Sequence, residues 1–114
     1  MAERKTNLCP KFEQAINILG KKWNGQIIES LRLEPMRFCS LRNNIAGISD
    51  RVLTERLKEL QTLGIVTREE IKSDEHTYTR YCLTKKGEDL QPVLQCLHDW
   101  ADEWVCKEEL AQAN

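Results

Sequence analysis

The segment Ile48-Ser49-Asp50-Arg51-Val52-Leu53-Thr54-Glu55-Arg56-Leu57-Lys58-Glu59-Leu60 constrains the fold more tightly than any other part of the chain. Ser49 is placed to cap a helix, because its hydroxyl can accept from a backbone N–H that the first turn leaves free. Leu53, Leu57 and Leu60 recur at i, i+4 and i+7 and so form one apolar edge. Arg51, Thr54, Glu55 and Lys58 fall on or near the other side. Gly64 is positioned to end the helix in a left-handed turn. A shorter helix closes just upstream, at Ile45-Ala46-Gly47. Two helices joined by a tight Gly-containing turn, the second presenting Arg, Thr and Lys, form the arrangement with which a helix-turn-helix reads duplex DNA.

The flanking sequence predicts the remaining elements. Pro10 starts a first helix with Phe12, Ala15, Ile16 and Leu19 at apolar spacing, and Gly20 ends it. Trp23, Ile27, Ile28 and Leu31 mark a second helix that stops before Pro35. Met36-Arg37-Phe38 is short enough to pair as a strand, and Leu41 and Ile45 sit on a short third helix. Beyond Gly64, Ile65–Ile71 and Thr77–Thr84 are β-prone and flank a turn-like Lys72-Ser73-Asp74-Glu75-His76. A hairpin that follows a helix-turn-helix is a wing. A last long helix is expected from about Lys85 to Glu109, with Leu90, Leu94, Leu97 and Ala101 on one stripe and Trp100 and Trp104 one turn apart. The expected fold is therefore mainly α with a small β-wing: a winged helix-turn-helix with added N- and C-terminal helices. Leu94, Leu97, Trp100 and Trp104 exceed what a small core absorbs, so the terminal helices are expected to form a dimer interface.

Composition agrees with a globular protein. The 114 residues predict one domain over 1–114, and 40% apolar content suits a packed core. No apolar run is long enough to span a membrane, and Met1–Asn7 lacks an apolar signal core, so the expected location is the cytoplasm. The net charge of −1 hides an asymmetry. Gly20–Lys72 carries ten Lys/Arg against seven Asp/Glu, whereas Lys85–Asn114 carries three against seven. The basic middle coincides with the helix-turn-helix. Five cysteines, at 9, 39, 82, 96 and 106, are an odd number in a reducing compartment, which argues against a structural disulfide framework.

The order and spacing of several short motifs carry a resemblance that spans nearly the whole chain. They are Cys9-Pro10, Leu19-Gly20-Lys21-Lys22-Trp23, Arg37-Phe38, Gly47-Ile48-Ser49, Leu53–Leu60, Gly64-Ile65-Val66, Tyr81-Cys82-Leu83-Thr84, Lys86-Gly87 and Trp100-Ala101. In these the chain resembles the HxlR-type winged-helix transcriptional regulators, relatives of the MarR-like regulators. The resemblance implies a homodimeric bacterial DNA-binding protein that acts on a promoter, often as a repressor. Members with Cys-Pro ahead of the first helix resemble thiol-based sensors of quinones, aldehydes or hypochlorite. The chain departs from the pattern at the hairpin tip, Ser73–Thr77, which lacks proline and carries two acids.

Candidate roles follow. Arg51 and Lys58 can reach guanine edges or phosphates, and Thr54 can touch a base or a thymine methyl. Ser49 and the free N–H groups of its helix suit a phosphate. Arg42, Lys22 and Lys72 are candidates for the backbone, and Arg56, toward the flank of the buried edge, is expected to form a structural ion pair. A two-fold dimer would need an inverted-repeat operator. Cys9, just before Pro10, sits at a helix N-terminus near Lys5 and Lys11, the setting in which thiols become reactive. If the last helix packs on the partner's first helix, Cys106 could resolve an oxidised Cys9 across the dimer. Cys39, near the start of the third helix, is a further candidate, while Cys82 and Cys96 read as packing residues. No cofactor or metal is expected. An enzyme fits poorly, for lack of a phosphate-binding Gly loop, a paired-carboxylate motif or a His at catalytic spacing. The alternatives are a regulator responding to a metal or small ligand, although no CxxC or HxxxH pair occurs, and a winged-helix protein-interaction module.

Overall fold

The computed structural model describes residues 9–112. Their order is α1 (Pro10–Gly20), α2 (Asn24–Leu33), α3 (Phe38–Asn44), α4 (Asp50–Thr62), β1 (Val66–Lys72), β2 (Thr77–Leu83), α5 (Lys85–Glu88), α6 (Gln91–Trp104) and α7 (Lys107–Gln112). This is a mainly helical fold with a two-stranded antiparallel wing, as expected. The core lies where α2, α3 and α4 converge on the hairpin. Ile27, Ile28, Leu31, Leu41, Leu53, Leu57, Leu60, Ile65 and Val66 are buried there, and Leu94 joins them from α6.

Both ends of α4 are built as its sequence predicts. The Val52 N–H donates to Ser49 Oγ at 3.1 Å. At the other end Gly64 has φ +78°, the Ile65 N–H donates to the Leu60 carbonyl at 2.9 Å, and the Gly64 N–H donates to the Gln61 carbonyl at 3.0 Å. These two bonds make a Schellman turn, which satisfies carbonyls the helix end would leave free.

Four details differ from expectation. The last helix is not continuous. Pro92 has no N–H, and its ring would meet the carbonyl of Glu88 in a straight helix, so the chain bends at Asp89–Leu90 and α6 restarts. A second break follows at Val105, which is extended (φ −98°, ψ 117°). Cys106 therefore leads into α7 rather than riding near the end of one long helix. Trp23 does not lie on α2. It precedes the helix with φ +80°, a left-handed conformation that a bulky side chain rarely adopts. Of Met36-Arg37-Phe38 only Met36 pairs, as an isolated antiparallel bridge to Tyr81, and Phe38 already opens α3, which ends at Asn44. Finally, Cys96 is exposed rather than packed.

Candidate nucleic-acid interface and thiol site

The helix α4 turns one edge into the core and the other to solvent. Leu53, Leu57 and Leu60 are at most 1% exposed. The Arg51 side chain is 87% exposed and reaches Glu55 at 3.5 Å, one helical turn away. An exposed i,i+4 pair of this kind is weak and yields readily to a stronger partner. Lys58 is exposed one turn beyond Glu55. Thr54 is exposed too, but its hydroxyl donates to the Asp50 carbonyl at 2.8 Å, which leaves its methyl and an oxygen lone pair for a partner. Ser49 keeps its own hydroxyl as the helix cap, so any phosphate contact there falls to the other free N–H groups of the first turn.

Arg42 sits in the last turn of α3 and its Nη1 lies 3.2 Å and 3.3 Å from the two carboxylate oxygens of Asp50, in the first turn of α4. Its contact is to the second helix of the motif, and it pins the two helices across the Ile45–Ser49 turn. Arg56 is 13% exposed and lies 2.8 Å from Glu59, the structural pair expected of it. Glu59 also accepts from Lys21 at 2.9 Å. The Lys21 bond, with the nearby Arg56 and Lys21 charges, holds the Glu59 carboxyl below its ordinary range. This shared carboxylate ties the segment after α1 to the outer flank of α4, a link that residue spacing alone did not reveal. Lys22 is exposed, with Nζ 5.0 Å from the Trp23 ring centroid, and Lys72 is exposed at the end of β1. Neither adjoins α4 in sequence.

The thiols divide by setting. Cys9 is exposed at the N-cap of α1, with Pro10 in the first turn, as expected. Its carbonyl accepts from the Glu13 N–H at 3.0 Å and its side chain makes no capping bond. Lys11 follows it, and Lys5 lies outside the described residues. Cys39 and Cys106 are exposed, at the starts of α3 and α7. Cys82 is half-buried on β2, where burial and the Glu69 carboxylate push its thiol above the ordinary range and so hold it in the unreactive form.

The terminal helices leave apolar side chains uncovered. Phe12 and Ile16 on α1, and Val93, Leu97, Trp100 and Trp104 on α6, are all exposed, the two tryptophans at 61% and 65%. No helix among the described residues is long and apolar enough to cross a membrane.

Comparison with known proteins agrees with this geometry. A curated relative, the HTH-type transcriptional regulator YodB of Bacillus subtilis (strain 168), is 43% identical over 108 residues, which cover 90% of this chain and 96% of YodB. The uncharacterised HTH-type regulator YvaP of the same strain is 39% identical over 101 residues, covering 89% and 93% of the two chains. The structure of YodB in its reduced form superposes with a TM-score of 0.78 and covers 86% of this chain and 95% of that one. YodB has also been solved bound to quinone, where the TM-score is 0.74. The redox regulator HypR in its reduced form, 26% identical, gives 0.75 over 91% of this chain and all but 1% of its own. A family profile described as HxlR-like helix-turn-helix matches residues 18–109, most of the chain, which therefore belongs to the HxlR-like helix-turn-helix family.

Proposed function

We propose that this chain is a DNA-binding transcriptional repressor, that it works as a homodimer of one winged-helix domain over residues 1–114, and that chemical modification of Cys9 releases it from DNA. The observation that carries the DNA reading is α4, with three leucines sealed in the core and Arg51 almost wholly in solvent. Arg51 is the leading base reader, Thr54 and Lys58 assist it, and backbone phosphates fall to the first turn of α4 and to Lys22 and Lys72. Two copies place two such helices in successive major grooves of an inverted-repeat operator.

The switch rests on an exposed thiol at the N-cap of a helix whose apolar face is uncovered, and on the solved states of the 43% identical YodB, which include a diamide-treated and a quinone-bound form. With a quinone, the Cys9 sulfur bonds to a ring carbon, and the thiol proton and the hydrogen lost from that carbon end on the two ring oxygens, giving an S-aryl hydroquinone. With a diamide-class oxidant, the Cys9 thiol and the Cys106 thiol of the second protomer lose two electrons and two protons together as an S–S bond forms. Both events act at the junction of the two protomers and change the separation of the reading helices.

The test is a gel shift with duplex DNA from the region upstream of the chain's own gene. Under reducing conditions the protein should retard the duplex, and benzoquinone should abolish the retarded band. Retardation that survives full alkylation of the thiols would end the switch reading; no retardation at any protein concentration would end the DNA reading.

A further inference from the structure

The hairpin carries its acids at the tip, Asp74 and Glu75, where a phosphate would be repelled. Its β2 flank is different. Between the lead-in to α3 and β2 lies a cleft of about 500 Å³ lined by Pro35, Met36, Arg37, Ser40, Tyr78 and Arg80. The guanidinium carbon of Arg37 stands 4.8 Å from the centroid of the Tyr78 ring. A guanidinium stacked on an aromatic face keeps its edge N–H groups pointing outward and available.

We propose that this cleft is a second contact with the DNA, in which Arg37, held on Tyr78, binds a backbone phosphate of the duplex. The proposal rests on the DNA-binding reading above and adds a contact that the reading does not contain. Three observations support it. Arg37 is exposed, and among the described residues no carboxylate pairs with it, whereas Arg32, Arg42, Arg51, Arg56 and Arg80 each have a carboxylate within 4.0 Å. Its backbone is fixed. The Met36 N–H donates to the Tyr81 carbonyl at 2.9 Å and the Tyr81 N–H donates back to the Met36 carbonyl at 2.7 Å, so the segment entering α3 is stitched to β2. Third, α3 is the first helix of the helix-turn-helix, and when the second helix lies in the major groove the first crosses the phosphate backbone. Arg37 is the residue that leads into it.

The charge inventory sets the size of the contact. Arg80 is neutralised by Glu69 at 2.8 Å, and Glu34 also lines the cleft. Arg37 is thus its one uncompensated cation among the described residues, which suits a single phosphate rather than a broad basic track. A phosphate contact carries no sequence information. Its loss weakens binding to every duplex alike and makes the salt dependence shallower by about 0.9 in the log–log slope.

The test is fluorescence anisotropy with two duplexes, the chain's own upstream region and a scrambled version, titrated over a range of salt. Arg37→Gln should weaken both duplexes by the same several-fold factor and flatten the salt slope of the bound dimer by about 1.8, about 0.9 from each protomer. Ser40→Glu, an exposed position where a carboxylate enters the cleft without removing a packed group, should weaken both by several-fold at low salt, with the circular dichroism of the wild type. If the wild type binds and both variants keep its affinity and slope, this contact is wrong while the DNA reading stands. A loss confined to the chain's own region, with an unchanged slope, would make Arg37 a base reader and also overturn the proposal. Failure of the wild type to bind either duplex would overturn the DNA reading and this contact with it.

Discussion

Arg51 and Arg56 share one helix, and their surroundings give them opposite work. Arg51 projects into solvent against a weak partner, while Arg56 lies against the protein with its Nη2 2.8 Å from Glu59. Arg51→Ala should therefore weaken binding to the specific duplex by about 1–3 kcal/mol, with little effect on folding. Anisotropy at fixed salt reads this; unchanged affinity in a folded variant would remove Arg51 from the reading set. A second residue-scale prediction concerns Gly87. A Cβ there would stand 2.3 Å from the Ile65 carbonyl oxygen, a backbone atom that cannot swing away. Gly87→Ala should lower stability by more than about 2 kcal/mol, because α5 must move away from the Ile65 backbone to admit it. A urea midpoint equal to that of the wild type would contradict this. Trp23 holds a conformation that costs of order 1–3 kcal/mol. Its indole reaches to 3.6 Å from where a Cβ on Gly47 would sit, so the residue whose backbone is strained ahead of α2 lays its ring against the turn of the helix-turn-helix.

At the scale of elements, the carboxylate of Glu59 joins the end of α1 to α4, and its titration can be followed. The Lys21 hydrogen bond holds its folded-state value below the ordinary 4.5. A group lowered on folding stabilises the protein fully above its ordinary value, and that contribution disappears as the pH falls through the lowered value. Glu59→Gln should thus be less stable than the wild type at neutral pH, and the gap should close in acid below the ordinary carboxylate range. Thermal melts at several pH values measure this; a gap that is constant down to strong acid would show that Glu59 acts through shape rather than charge. The helices themselves were readable from residues, because each core helix repeats its apolar positions at helical spacing and because Ser49 and Gly64 are local signals of a start and a stop. The broken C-terminal helix was not read. The stripe Leu90, Leu94, Leu97, Ala101 runs on through the bend, and only the steric demand of Pro92 and the docking of Gly87 on Ile65 show that it is interrupted. The Arg37–Tyr78 stack was likewise invisible, since it depends on the Met36–Tyr81 bridge, a pairing between residues far apart in sequence. For the candidate site, the cue for Arg51 and Cys9 was local. The positions of Lys21 and Arg37 against their partners are tertiary facts.

The whole molecule is more extended than a compact chain of its size. Its Cα radius of gyration is 16.9 Å, against about 13 Å expected. The apolar faces of α1 and α6 lie open, two tryptophans among them. A second copy that covers these faces accounts for both facts, and analytical ultracentrifugation at micromolar concentration should give a dimer; a monomer would contradict the interface. If Cys106 resolves Cys9, oxidised wild type should run as a disulfide-linked dimer on non-reducing gels and Cys106→Ser should not; a linked dimer that persists in Cys106→Ser would remove Cys106 from the switch. The claim at the centre of this account is that Cys9 governs DNA release, and the Cys9→Ser variant tests it most directly. Its gel shift on the upstream duplex should match the wild type under reducing conditions and should persist after benzoquinone or hypochlorite at a dose that should release the wild type. A Cys9→Ser protein that leaves the DNA at the same oxidant dose as the wild type would contradict the assignment and turn attention to Cys39.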